Sequence, residues 1–142
     1  MLPPIAQQGA QGMVTVIVRD ETATGRAIES WPLAGLPERI SARELVRLRV
    51  REEVARFNAQ QPRHFRGLVQ PTDTEATLNG YRVTPGRRLD WVAQADRACA
   101  AFARNGFLLL VGDRQIEDLD EEIDLRTDPD VAFVRLVALV GG

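Results

Sequence analysis

The sequence predicts an α+β fold in which one mixed sheet packs against helices. Three observations point to it. Apolar, β-branched runs occur near both ends of the chain, MVTVIVR at Met13–Arg19 and VAFVRLVALV at Val131–Val140. Two stretches with helical spacing and their own start signals lie between them. Short strand-like runs bounded by Gly, Asn, Asp and Pro fill much of the remainder. With 142 residues and 44% hydrophobic content, the chain is large enough for one domain with its own core.

Residues 1–12 hold Pro, Gln and Gly with little to bury, and read as a mobile tail. Met13–Arg19 is the first strand, Asp20–Gly25 a polar turn, and Arg26–Leu33 a second strand ended by Pro32 and Pro37. Ser41 and Glu44 form an S-x-x-E capping box that opens the first helix. Leu45, Leu48, Val54 and Phe57 recur there at roughly helical spacing, with Val46 and Val50 beside them. Arg43, Arg47, Arg51 and Arg56 fall on or near the opposite side, as a solvated face paired with Glu52 and Glu53. A patch for an acidic partner is the alternative reading of that face.

The stretch FRGLVQ, Phe65–Gln70, reads as a short strand. Asn79-Gly80, between two short apolar arms, reads as a two-residue type I′ turn, because both positions of that turn need positive φ. Asp90 is the N-cap of the second helix, whose buried stripe is Trp91, Ala95, Ala98 and Phe102. Asn105-Gly106 stops it, with the glycine suited to the left-handed C′ position. Phe107–Val111 is a buried strand, Gly112-Asp113-Arg114 turns it, and Gln115-Ile116 is a short return arm. Leu119, Ile123 and Leu125 pin a compact turn or one helical turn. Asp128-Pro129-Asp130 breaks the chain before the last strand, Val131–Val140. If the first helix crosses over the sheet in the usual way, the first and last strands are parallel neighbours at its centre.

Little in this composition points to an active site. A net charge of −2 creates no field that draws nucleic acid or an anionic membrane, so neither is expected as a partner. The apolar runs fall short of the roughly 20 residues that span a bilayer, and the N-terminus lacks a basic n-region and a long apolar h-region. The single cysteine, Cys99, lies inside the second helix beside its apolar stripe and reads as a small buried filler. It fits a reducing compartment, and a cytoplasmic location is expected. His64, the only histidine, reads as a surface or turn residue. One His and one Cys do not make a zinc site. The acidic run Glu117–Asp124 lacks the glycine and ligand spacing of a calcium loop. No nucleophile elbow, P-loop or dinucleotide fingerprint occurs. The chain is therefore expected to be no enzyme, and to hold no metal or cofactor. All 18 basic residues are arginine, so the chain has no ε-amine.

The segment LLLVGDRQIED, then DLDEEIDL, then VAFVRLVALVGG resembles ubiquitin and the ubiquitin-like modifiers. In ubiquitin a strand ends in a small-residue turn with a basic residue and Gln, followed by an aliphatic residue, Glu and Asp. Here that is Gly112 to Asp118. A short helical turn, a last strand and Gly-Gly follow in ubiquitin. The close match covers residues 106–142; the hairpin and capped helix extend it in pattern, and residues 59–105 have no counterpart. The whole looks like the larger ubiquitin-like proteins that bacteria encode beside E1-like and E2-like enzymes.

The resemblance implies a ubiquitin-like β-grasp, a mixed sheet packed on a helix, with a second helix and a hairpin inserted. It implies a tail over residues 1–12, a single elaborated domain over 13–137 with 59–105 as the insertion, and a diglycine tail over 138–142. The function implied is protein modification, in a bacterial antiphage defence pathway. An E1-like enzyme would activate the Gly142 carboxylate with ATP, and an E2-like enzyme would pass it to target proteins. Gly141 would clear a narrow channel, since glycine lacks Cβ. A deconjugating protease and self-association are further partners of such a role. Counting from the glycines and from Gln115 assigns Leu110 and Leu136 to a partner-binding surface, with Val137, Ala138, Leu139 and Val140 in an apolar tail. Arg135 then points inward, at a cost of several kcal/mol unless it is paired. Ubiquitin's tail carries arginines near its glycines and this one does not, which implies a dedicated activating enzyme. Two alternatives stay open: a sulfur carrier with a C-terminal thiocarboxylate, and a non-covalent β-grasp assembly or structural module.

Overall fold

The computed structural model describes residues 12–127 and 129–136. It is α+β, with a mixed sheet and two helices. The chain forms two compact units, one including residues 12–42 and 107–136, the other including residues 43–106.

The first unit is built on sheets. Its strands are β1 (Val14–Thr22), β2 (Ala27–Leu36) and β3 (Arg39–Ser41) from the N-terminal part. From the C-terminal part come β7 (Phe107–Val111), β8 (Arg114–Ile116), β9 (Glu122–Asp124) and β10 (Asp130–Arg135). Five of them form one sheet in the order β2-β1-β10-β7-β8. β1 and β10 are parallel and the other pairs antiparallel, so the first and last strands are neighbours near its centre. A central strand buries both faces, and Val131 to Val134 are all buried.

Register and burial define one buried face, which carries Val16, Val18, Val131, Phe133, Leu109, Val111 and Ile116. Phe107 and Phe133 pack there with ring centroids 5.9 Å apart. Gly112 has φ +61 at the first central position of the two-residue β7–β8 turn, the place where a type II′ turn takes glycine.

Several expected boundaries move. β1 continues to Thr22, and its turn narrows to residues 23–25, closed by Gly25 N–H donating to Thr22 O at 2.9 Å. β2 starts at Ala27 and runs to Leu36, three residues past the expected end at Leu33. It is an edge strand, where the missing N–H of Pro32 is tolerated. The stretch around Ile123 is not a helical turn: β9 pairs antiparallel with β3, Ile40 opposite Ile123, and both are buried. That pairing satisfies backbone groups that a helical turn would have bonded internally.

The second unit opens with helix α1 (Ala42–Gln60), whose first residue, Ala42, still belongs to the sheet unit. It adds a small antiparallel sheet, β4 (His64–Phe65), β6 (Gly80–Arg82) and β5 (Glu75–Thr77) in that order, and helix α2 (Trp91–Ala103). Of the stretch FRGLVQ only Phe65 is strand, as the second residue of β4, and residues 66–70 are not strand. Phe65 meets Phe57 of α1 edge-on at 5.4 Å.

The β5–β6 turn is displaced by one residue from the expected position. Its central residues are Leu78 and Asn79, neither at positive φ, while Gly80 takes φ +117 as the first residue of β6. Thr77 Oγ1 accepts from Asn79 N–H and donates to Gly80 O, fixing this tighter form. A Cβ on Gly80 would lie 2.9 Å from Phe65 O, so glycine is required for close approach as well as for φ.

Asp90 caps α2 by accepting from Val92 N–H at 3.1 Å. Ala95, Ala98 and Phe102 are buried as expected, joined by Gln94 and Ala101, and Trp91 is half-buried. At the other end the left-handed residue is Asn105 (φ +59), not Gly106. Gly106 N–H donates to Ala101 O and Asn105 N–H to Phe102 O, the paired bonds of a Schellman motif.

Candidate functional site

Leu110 and Leu136 are the predicted site residues among those described; Val137, Ala138, Leu139, Val140, Gly141 and Gly142 lie outside them. Leu110 pairs with Ala132 across β7 and β10, and Leu108 with Val134, so all four share one face. Leu136, 37% exposed, follows the last residue of β10 in a bend. The face of Leu110 is the sheet face opposite to Phe133 and Leu109. Ile17, 48% exposed, extends it on β1. The face is not wholly apolar: Arg19, opposite Ala132, pairs with Glu21 at 3.1 Å and with Asp130.

The same register turns Arg135 to the buried face, and a partner is there. Its Nη2 donates to Asp20 Oδ2 at 2.9 Å. Asp20 is 3% exposed and sits opposite Phe133 on the neighbouring strand. The pair therefore ties the last residue of β10 to β1 just before the chain reaches its final seven residues.

In the second unit the arginines of α1 are less free than their spacing suggests. The guanidinium groups of Arg47 and Arg51 lie 5.3 and 5.6 Å from the centre of the Trp91 ring. Arg47 also donates to Asp96 at 3.3 Å. Glu53, expected on the solvated face, instead pairs with Arg49 at 3.2 Å and accepts from Leu68 N–H at 3.0 Å. Arg49 is 1% exposed, the largest fully buried side chain among the described residues.

Cys99 is half-buried; desolvation pushes its thiol up, with Arg43 and Arg47 opposing. A raised thiol is a poor nucleophile near neutral pH. Among the described residues, no three or more His, Cys, Asp or Glu side chains are grouped to hold a metal ion. No helix among them is long and apolar enough to cross a membrane.

The small net charge hides a separation. Residues 1–42 and 107–136 hold thirteen carboxylates against six arginines, whereas residues 43–106 hold twelve arginines against seven carboxylates. The net charges are thus −7 and +5, which together give the chain's −2.

Sequence reading missed the Asp20–Arg135 and Arg49–Glu53 pairs and the arginines over Trp91. One of these had a legible signal. Arg49 follows Leu45 by four residues and Val46 by three, and Glu53 follows Arg49 by four, so helical spacing alone puts both in the apolar stripe.

No protein-family model matches this sequence, and neither a curated protein nor a solved structure matches the chain.

Proposed function

We propose that this chain is a ubiquitin-like protein modifier of the β-grasp type, with the Gly142 carboxylate as its acyl donor and Gly141 as the residue that clears the enzyme channel. The observation that supports it most is the centre of the sheet. β10 runs parallel to β1 between β1 and β7, with a hairpin partner on one side and a strand with a short return arm on the other. That strand leads into Leu136 and the apolar residues before the diglycine. The Asp20–Arg135 pair supports the role further by anchoring the end of β10.

In this reading the protein carries no catalytic group. An E1-like partner uses ATP to form the acyl adenylate, an E2-like partner carries the thioester, and the acceptor is a nucleophile on a target protein. Leu110 and Leu136, with Leu108 beside them, are the surface those enzymes meet. The setting is a bacterial cytoplasm and an antiphage pathway.

The test uses N-terminally tagged protein, incubated with ATP in an extract of its own cells. Trypsin cuts after arginine, and the last arginine is Arg135, so every true conjugate yields a target peptide branched with Leu136–Gly142. Such branched peptides are expected from the full chain and absent when Gly142 is deleted. A tail whose carboxylate has exchanged oxygen for sulfur, with no branched peptide, would replace this reading with the sulfur carrier. Adducts that persist without Gly142 would sink it.

A further inference from the structure

The second unit contains a cleft of about 520 Å³ where α1 ends against the small sheet. Its lining includes Arg63, His64 and Arg82, with Phe57, Val83 and Pro85 supplying apolar surface. No carboxylate lines it. His64 and Arg82 are directly opposite each other on β4 and β6, so their side chains share one face.

Three nitrogen-bearing side chains are among the cleft's lining residues. Among the described residues, Arg63 makes no ion pair. Arg82 reaches Glu75 at 3.1 Å, but both side chains are about two-thirds exposed. Such a pair is weak and readily exchanged. Two guanidinium-bearing residues and no carboxylate among the lining residues make the cleft net positive. An incoming anion would offset that charge. The end of α1 opposes this with a partial charge of about −0.5, which is small beside two full positive charges.

The cleft is also preformed. Gln61 holds φ +49 just after α1 and donates from its side-chain amide to Arg87 O at 3.2 Å. Asn58 exchanges two hydrogen bonds with the Leu89 backbone, at 2.9 and 2.8 Å. The rim at Thr84–Arg87 is closed by Arg87 N–H donating to Thr84 O, with Gly86 at φ +85. Phe57 and Val83 are buried in the walls. The volume lies within the roughly 300–1,000 Å³ of small-molecule sites.

We infer that this cleft binds a small organic anion, a carboxylate or phosphate on an apolar body. Arg63 and Arg82 hold the anionic group, His64 adds a donor, and the body rests on Phe57, Val83 and Pro85. The inference does not depend on the diglycine role.

Phenyl phosphate, benzoate and neutral benzyl alcohol, titrated into the full ¹⁵N-labelled chain, test it by amide shifts. Saturable shifts at residues 61–64 and 82–86 are expected with at least one anion, and none with the alcohol. Tighter binding of phenyl phosphate assigns a phosphate monoester, and tighter binding of benzoate assigns a carboxylate. Arg63→Gln and Arg82→Gln should each weaken that binding about ten-fold, as loss of one charge-assisted hydrogen bond does. Both side chains are exposed, so unchanged spectra elsewhere will show that the fold is kept. Arg88→Gln, outside the cleft lining, should leave affinity unchanged. Equal binding of benzyl alcohol, no saturable shift, or affinity indifferent to both Arg63→Gln and Arg82→Gln overturns the proposal.

Discussion

Among the described residues, the sheet unit, with seven more carboxylates than arginines, buries one carboxylate, and the helical unit, with five more arginines than carboxylates, buries one arginine. Asp20 is 3% exposed and is met by Arg135, whose side chain is 23% exposed. Arg49 is 1% exposed and is met by Glu53, whose side chain is 15% exposed. In each unit the majority sign goes inside and the minority sign sits nearer water. The two pairs are mirror images in charge but not in consequence. Loss of Glu53 leaves a cation with almost no access to solvent, whereas loss of Asp20 leaves one that already reaches it.

The largest effect is therefore expected at Glu53. Glu53→Gln keeps an acceptor for Leu68 N–H but removes the charge facing Arg49. Removing one partner of a buried ion pair costs roughly 3–5 kcal/mol, read as a lower urea midpoint. Replacing both members, Arg49→Met with Glu53→Leu, should recover most of that loss, because apolar side chains of similar volume often match a buried pair. A double variant no better than Glu53→Gln would mean that the pair's worth is not electrostatic.

Asp20→Asn is the matching experiment in the sheet unit. Arg135 keeps its partial exposure, and asparagine still accepts a hydrogen bond, so the cost should be about 1.5–3 kcal/mol, that of one bond to a charged group. Amide exchange adds a second readout: protection near Val134 and Arg135 should fall more than at Val131, because the pair sits at the strand's far end. If Asp20→Asn proves costlier than Glu53→Gln, exposure of the stranded cation does not set the penalty.

How much of this was legible varies with the kind of signal. β-branched runs and a helix between them gave the parallel β1–β10 centre, because crossover handedness leaves few arrangements. Period-two alternation put Leu110 and Arg135 on opposite faces, and the partner Arg135 needed was Asp20. That partner is 115 residues away, and no local pattern names it. The turn at residues 77–80 failed for a local reason. Asn-Gly favours a type I′ turn, but Thr77 Oγ1 satisfies both Asn79 N–H and Gly80 O and draws the turn back one residue. On α1, Arg43, Arg51, Arg56 and Glu52 are exposed as their spacing predicts, and Glu53 departs from that face because it pairs with Arg49, which lies in the apolar stripe by its spacing. Of the tail residues expected to act, the sequence remains the only description.

The smallest effect is expected where charges stay in water. Arg126 lies 3.3 Å from Asp124 and 3.7 Å from Glu38, in side chains that are all at least a quarter exposed. Its side-chain hydrogen bond, more than any other cause, holds the Asp124 carboxyl below the usual carboxylate range. A group depressed in the folded state stabilises above its unfolded value, about 3.9 for aspartate, and loses that contribution as pH falls through the folded value. Arg126→Ala should leave the urea midpoint at pH 7 within error of the parent, since exposed ion pairs contribute little. The Asp124 carboxyl, followed by NMR, should titrate at a higher pH than in the parent. It should still fall somewhat short of the free value, because Arg126 N–H continues to donate to it at 3.0 Å. A large loss of stability at pH 7 would show that the acid-rich unit relies on its surface pairs, and the contrast between buried and exposed charge would then fail for that half of the chain.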